Sequence, residues 1–265
     1  MLLPLIAWHL MLLAAFMSPA PLRYRALHVT TPPAIDGRLD DAAWQDTPWS
    51  PTFIDIEGDR RPAPALHTRM KLAWDDSTLY VAGELEEPDL WATLTTRDAV
   101  IFQDNDFELF VDPDGDAARY FELELNALNT QWDLFLPKAY RDGGKALDAF
   151  DFAGLRSAVA LDGTLNDPTD RDRGWSIEIA IPFRAFTAPG ISHHAPRVGD
   201  TWRVNFSRVE WDLEARDGRY TKVLDPATGK SRPEHNWVWS PQGVIDMHQP
   251  ERWGYVEFTR VAAAR

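Results

Sequence analysis

Tyr120-Phe121-Glu122-Leu123-Glu124-Leu125-Asn126-Ala127 is the stretch whose reading decides the fold. In an extended chain Phe121, Leu123 and Leu125 fall on one face and Glu122, Glu124 and Asn126 on the other, because strand side chains alternate with a period of two. The same texture spreads outward in both directions. Upstream, Phe107-Glu108-Leu109-Phe110-Val111 reads as a nearly all-apolar strand carrying one carboxylate, broken by Asp112-Pro113-Asp114-Gly115-Asp116. Earlier still, residues 70–74 and 79–86 flank a turn at Asp75-Asp76-Ser77, which predicts a hairpin. Downstream, residues 175–181 alternate and stop at Pro182. Trp202, Val204 and Phe206 alternate with Arg203, Asn205 and Ser207, and Tyr255-Val256-Glu257-Phe258 supplies a last strand. Helix signals amount to single turns at 40–45 and 183–186. Many short strands, with 20 prolines and 15 glycines scattered among them, predict an all-β antiparallel sandwich of jelly-roll type rather than a parallel α/β sheet. The polar stretches 137–150 and 212–236 read as long loops, which in compact domains are commonly functional.

The chain has 265 residues, 45% apolar, enough for one substantial core, and no repeat or composition shift divides it. Residues 21–265 therefore read as a single domain. With 27 basic and 41 acidic residues the net charge is −14, a surface that repels phosphate backbones and anionic headgroups. Nucleic acid and membrane-surface partners do not fit it, whereas a neutral sugar or a divalent cation does. Cysteine is absent, so there are no disulfides, thiolate metal ligands or cysteine nucleophiles. The first 17 residues are apolar apart from His9 and lead into Ser18-Pro19-Ala20. That run is short of the roughly 20 residues a membrane span needs. The expectation is a signal peptide over residues 1–20, cleaved near Ala20, and a secreted, periplasmic or cell-surface protein, with an uncleaved anchor as the alternative.

Two acidic segments stand out. Ile35-Asp36-Gly37-Arg38-Leu39-Asp40-Asp41-Ala42-Ala43-Trp44 reads as an Asx-type turn followed by one helical turn that drops Trp44 onto the core. Asp36 and Asp40 are also candidate calcium ligands, since hard cations draw several oxygens from adjacent loops. Asp112, Asp114 and Asp116 space carboxylates at every second residue, but the twelfth position is Leu123 rather than a bidentate Glu, which rules out an EF-hand. A solvated acidic turn and a calcium site of another type both remain as readings.

These pieces, taken in order, resemble the family 9 carbohydrate-binding modules. The resemblance rests on Ile35-Asp36-Gly37…Trp44, Ala73-Trp74-Asp75-Asp76…Leu79-Tyr80-Val81-Ala82 and Gln103-Asp104-Asn105-Asp106-Phe107-Glu108-Leu109-Phe110-Val111-Asp112. It continues through Asn126-Ala127, Gly174-Trp175-Ser176-Ile177-Glu178, Gly199-Asp200-Thr201-Trp202-Arg203-Val204-Asn205-Phe206-Ser207-Arg208 and Trp253-Gly254-Tyr255-Val256-Glu257-Phe258. It implies a DOMON-like β-sandwich, structural calcium in some members, no organic cofactor, and a sugar held between two aromatic rings with a Glu beside one and an Asn beside the other. Carried onto this chain, the rings fall on Phe102, where a tryptophan is more usual, and Trp239. The polar partners fall on Glu108 and Asn236, with Trp237, Arg208 and Trp132 as supplementary candidates. The implied partner is a mono-, oligo- or polysaccharide, and glycan-degrading enzymes are implied companions.

Rings and carboxylates suit that task, since aromatic faces cover the C–H faces of a pyranose while Asn, Glu and Arg hydrogen-bond its hydroxyls. The sequence holds no Gly-x-Ser-x-Gly elbow, His-Glu-x-x-His or phosphate loop, so a non-catalytic role is expected. Two alternatives remain. One is a haem b electron-transfer domain using Met70 with His67 or His248; the other is an interaction domain whose sugar slot has degenerated at Phe102.

Overall fold

The computed structural model describes residues 20–191 and 194–260, so the predicted signal peptide lies outside the described residues except for Ala20. In chain order the first elements are β1 (Arg23–His28), α1 (Ala42–Gln45), β2 (Ile54–Asp55), β3 (Thr68–Trp74) and β4 (Thr78–Glu86). Then follow β5 (Asp106–Asp112), β6 (Tyr120–Asn126), β7 (Gln131–Leu136), β8 (Arg156–Asp162) and β9 (Gly174–Pro182). The last are β10 (Thr201–Glu210), β11 (Leu213–Arg216), β12 (Arg219–Lys222), β13 (His235–Val238) and β14 (Gly254–Thr259). The molecule is all-β with a few short helical turns, as its alternation predicts.

Twelve strands form one curled sheet in the order β7-β6-β5-β10-β14-β1-β3-β4-β9-β8, with β13 paired to β10 and to β2. All ladders are antiparallel except those of β1, which runs parallel to both β14 and β3. The predominantly antiparallel sheet is thus mixed at one strand: β1 gives residues 23–27 to β14 and only Leu27 and His28 to β3, and so joins the two halves at a corner. The halves then face one another. A Cβ on Gly83 of β4 would stand 3.0 Å from the Phe107 ring of β5, so the glycine is what lets the two layers approach this closely. Phe121, Leu123 and Leu125 point into the shared core, as the octet predicts.

The predicted hairpin at Asp75 joins β3 to β4, closed by Asp75 N–H to Thr78 O at 3.0 Å, with Asp75 Oδ1 accepting from the Ser77 and Thr78 amides. The predicted single turns appear as α1 and as a 3-10 turn at Phe183–Ala185. Stretch 212–236 is not a plain loop, because β11 and β12 form a separate hairpin within it. The edge strand β8 escaped the sequence reading because it buries no side chain fully, and so carries no clear alternation.

The Ile35-Asp36-Gly37…Trp44 segment proves to be one structural unit built on a carboxylate of β9. Glu178 accepts from the Asp36 and Gly37 amides, each at 2.9 Å, and from Trp44 Nε1 at 2.6 Å. Gly37 has φ +87°, and a Cβ there would strike Ala160 N at 2.5 Å, so no other residue fits. Trp44 is fully buried.

Candidate functional site

The outer face of β5, β6, β7, β10 and β13 carries a cleft of about 260 Å³. Its floor follows from strand parity: with Phe107, Leu109, Leu123 and Leu125 turned inward, Glu108, Glu122 and Glu124 must turn outward. Glu108 lies opposite Glu124 in the β5–β6 register, and Phe110 opposite Glu122. One wall is aromatic. Phe102 and Trp132 are both half-buried, their ring centroids 6.2 Å apart at an interplanar angle of 32°. Phe102 sits on a 3-10 turn (Ile101–Gln103) that is pinned at two points: its N–H donates to Glu124 Oε2 (2.9 Å), and its carbonyl accepts from Trp211 Nε1 (2.9 Å). Asn236 enters from β13 half-buried, and its side-chain amide makes no hydrogen bond to another described residue. Tyr140, on a 3-10 turn of the 137–150 loop, is 44% exposed at the rim.

The floor is electrostatically unusual. Burial pushes Glu108 up to about 7 and Glu122 up to about 8, with the neighbouring carboxylates adding to the effect. Asp106 and Glu124 are also raised well above the carboxylate range by burial and then by the other acids. His248, hydrogen-bonded through Nδ1 to Tyr120 Oη at 2.9 Å, is held down at about 4 by burial. Near neutral pH the floor therefore offers carboxyl groups that can both donate and accept, which matches hydroxyl chemistry.

A larger groove of about 920 Å³ adjoins this cleft, sharing Ile56, Glu234, Asn236 and Ile245 with it. Trp211, Asp212 and Leu213, at the start of the 212–236 stretch, form part of its wall.

The structure brings Phe102, Glu108, Asn236 and Trp132 together and separates the other sequence candidates from them. Trp239 is a core residue, 1% exposed, packed edge-on against Tyr24 and Phe206, with Gly254 leaving room for its ring. The reason is parity. Three positions separate it from Asn236, so if Asn236 faces the cleft the tryptophan faces the opposite way. Trp237 does share a face with Trp239, and that face is the core. Arg208 is 1% exposed and committed to structure, with Nη2 2.8 Å from both Glu87 Oε2 and Glu210 Oε2, and Nη1 donating to Thr68 Oγ1 and Glu86 O.

Of the proposed metal ligands, Asp36 and Asp40 are exposed and join no group of three acidic or histidine ligands among the described residues; Asp36 Oδ1 accepts from the Arg38 amide as an Asx turn. Asp112, Asp114 and Asp116 do converge, but their oxygens are engaged. Asp112 accepts from the Gly115 and Ala117 amides, and Arg119 closes on Asp114 and Asp116. For haem, Met70 is sealed in the core while His67 is exposed and His248 is bonded to Tyr120, so the three do not form an axial set. Glu122, Glu124 and Tyr140 are not among the residues singled out from sequence, and His248 is there only as a haem ligand. The signal for the first two was present in Glu122 and Glu124 lying on one polar strand face.

Residues 35–258 match the family described as carbohydrate family 9 binding domain-like. Among solved structures, a family 9 carbohydrate-binding module from Caldicellulosiruptor kristjanssonii, in complexes with cellotriose and with glucose, aligns with a TM-score of 0.56 at 19% identity, covering 92% of this chain and 98% of that one. A putative carbohydrate-binding protein from Bacteroides uniformis aligns with a TM-score of 0.64 at 18% identity, over 90% of this chain and 100% of that one. No curated protein sequence matches the chain. With the family pattern spanning most of the sequence and the fold agreeing, the chain belongs to the carbohydrate family 9 binding domain-like proteins.

Proposed function

We propose that this is an exported, non-catalytic sugar-binding protein whose ligand lies against Phe102 and Trp132. The observation that carries the reading is the pairing of two half-buried rings with a floor of carboxyl groups and the free amide of Asn236, in a chain of a carbohydrate-binding family. The rings cover one C–H face of a pyranose, and Tyr140 at the rim offers a further ring. Glu108 and Asn236 take the hydroxyls. The adjoining groove gives room for further sugar units, so an oligo- or polysaccharide fits better than a free monosaccharide. Capture of polysaccharide alongside glycan-degrading enzymes outside the cytoplasm is the corresponding biological role.

A glycan array followed by calorimetry on the protein tests this. Phe102→Ala and Asn236→Ala each lower sugar affinity tenfold or more, the equivalent of about 1.4 kcal/mol, while unfolding stays cooperative. Trp239→Phe lowers the unfolding midpoint and leaves the affinity intact. Unchanged affinity in the first two variants would place the sugar elsewhere.

A further inference from the structure

We propose that Asp106, Glu108 and Glu124 form a calcium-type divalent-cation site in the floor of the cleft. Strand geometry puts them together. Asp106 and Glu108 are two apart on β5 and share a face, and Glu124 stands directly across from Glu108 on β6. All three are buried, at 0%, 4% and 1% exposure, and each offers a carboxylate oxygen within 4.8 Å of the others. Oxygens around one calcium ion, bound at 2.3–2.6 Å, lie up to about 5 Å apart, so this spread fits a single shell.

Two observations separate this group from an ordinary acidic patch. Asp106 Oδ2 and Glu108 Oε2 are buried and have no hydrogen-bond partner. One oxygen each of Asp106 and Glu124 is anchored by a backbone donor: Asp106 Oδ1 accepts from Val209 N–H (3.0 Å) and Glu124 Oε2 from Phe102 N–H (2.9 Å). Asp106 and Glu124 are thus held in place, and Asp106 and Glu108 keep free lone pairs. Three acidic groups of this kind occur among the described residues. In the group of Asp98, Asp133 and Asp151, Arg97 pairs with all three, and in that of Asp112, Asp114 and Asp116, Arg119 pairs with two. No described lysine, arginine or histidine pairs with Asp106, Glu108 or Glu124, and a buried charge without a counter-ion is costly.

The donor set is entirely carboxylate, which selects a hard cation over zinc or copper. Three carboxylates supply at most six oxygens, and calcium accepts six to eight. Because Glu108 and Glu124 line the cleft, the open positions face the Phe102–Trp132 wall. Adjacent sugar hydroxyls can fill them as a bidentate pair. This last step rests on the sugar-binding reading, whereas the cation site itself does not.

The test uses the full chain, stripped with chelator and titrated calorimetrically with calcium chloride and, in parallel, magnesium chloride. One calcium ion binds per chain, more tightly than magnesium, and calcium raises the unfolding midpoint. Asp106→Asn combined with Glu124→Gln abolishes the heat and the midpoint shift, while melting in chelator stays cooperative because the shapes are kept and the repulsion is removed. Asp112→Asn leaves calcium binding unchanged. If the double variant does not fold, Glu108→Gln alone must weaken calcium at least tenfold. Absence of stoichiometric calcium binding in the wild-type chain, or undiminished binding in the variants, overturns the site. In a second arm, chelator weakens binding of the array-identified sugar. Sugar binding indifferent to chelator overturns the bridging role. Calcium binding without binding of any sugar leaves the cation site standing and removes the sugar reading.

Discussion

Two sets of buried carboxylates flank β10, and they are handled in opposite ways. On one side Glu87 and Glu210 close around Arg208, whose remaining donors reach Thr68 and Glu86. On the other, Asp106, Glu108, Glu122 and Glu124 gather without an arginine, although Asp106 is fastened to the same strand through the Val209 amide. The first set is complete: both carboxylates reach the guanidinium and its donors are spent, so it can only hold β10 against the 86–87 segment. The second retains acceptor capacity and opens on a cleft. Depth and residue type are alike in the two sets. What differs is whether a cation from the chain itself has been supplied, and that difference separates a structural network from a candidate binding surface.

The sharpest way to break the comparison is to strip the first set of its cation. Arg208→Met leaves Glu87 and Glu210 buried without a counter-ion and lowers stability by about 3–5 kcal/mol, read as a shift of the urea unfolding midpoint. A loss near zero would mean that the pair is not needed and that the two sides of β10 are equivalent.

A smaller effect of opposite sign comes from the second set. Glu122 sits at about 8 in the fold against an ordinary value of 4.5, so the fold favours its protonated form. Its contribution to stability is therefore full below pH 4.5 and is lost as the pH rises through 8. Glu122→Gln, neutral at every pH, should match the wild type near pH 4 and be the more stable of the two near pH 9, in chelator. Parallel stability curves for the two proteins would show that this carboxyl is not confined as its burial implies.

The smallest effect belongs to the exposed acidic turn. Arg119, half-exposed, pairs with Asp114 and Asp116 at the surface, where ion pairs contribute little. Arg119→Ala leaves the unfolding midpoint where it is. A large shift would mean that a counter-cation matters at the surface as much as beside β10.

Much of this organisation is legible in the sequence, but only as local pattern. The alternation of Phe121, Leu123 and Leu125 with Glu122 and Glu124 already assigns two faces to β6, and the structure keeps them. Arg208 shares its strand face with the core residues Trp202 and Phe206, so it has to be paired, and it is. Their spacing of two puts Trp237 and Trp239 on a common face, but nothing in the local sequence says whether that face meets solvent or core. Pairing of β13 with both β10 and β2 settles it, by turning Asn236 outward and both rings inward. The aromatic wall shows the same limit. Phe102 and Trp132 could both be proposed from the resemblance, but only strand pairing puts the two rings side by side, with Tyr140 reaching them from a distant loop.

From the sequence by itself come the strands, their turns, the sign of the surface charge and the set of residues able to meet a sugar. Period-two alternation and turn chemistry act over a few residues, so one chain suffices to read them. The tertiary structure decided which of those residues share a cleft: the β5–β6 register set Glu108 across from Glu124, and the curl of the sheet at β1 gave every strand an inside and an outside. Register and facing depend on segments far apart in the chain. A shift of one residue would have sent every carboxylate of the floor into the core and every core ring into water.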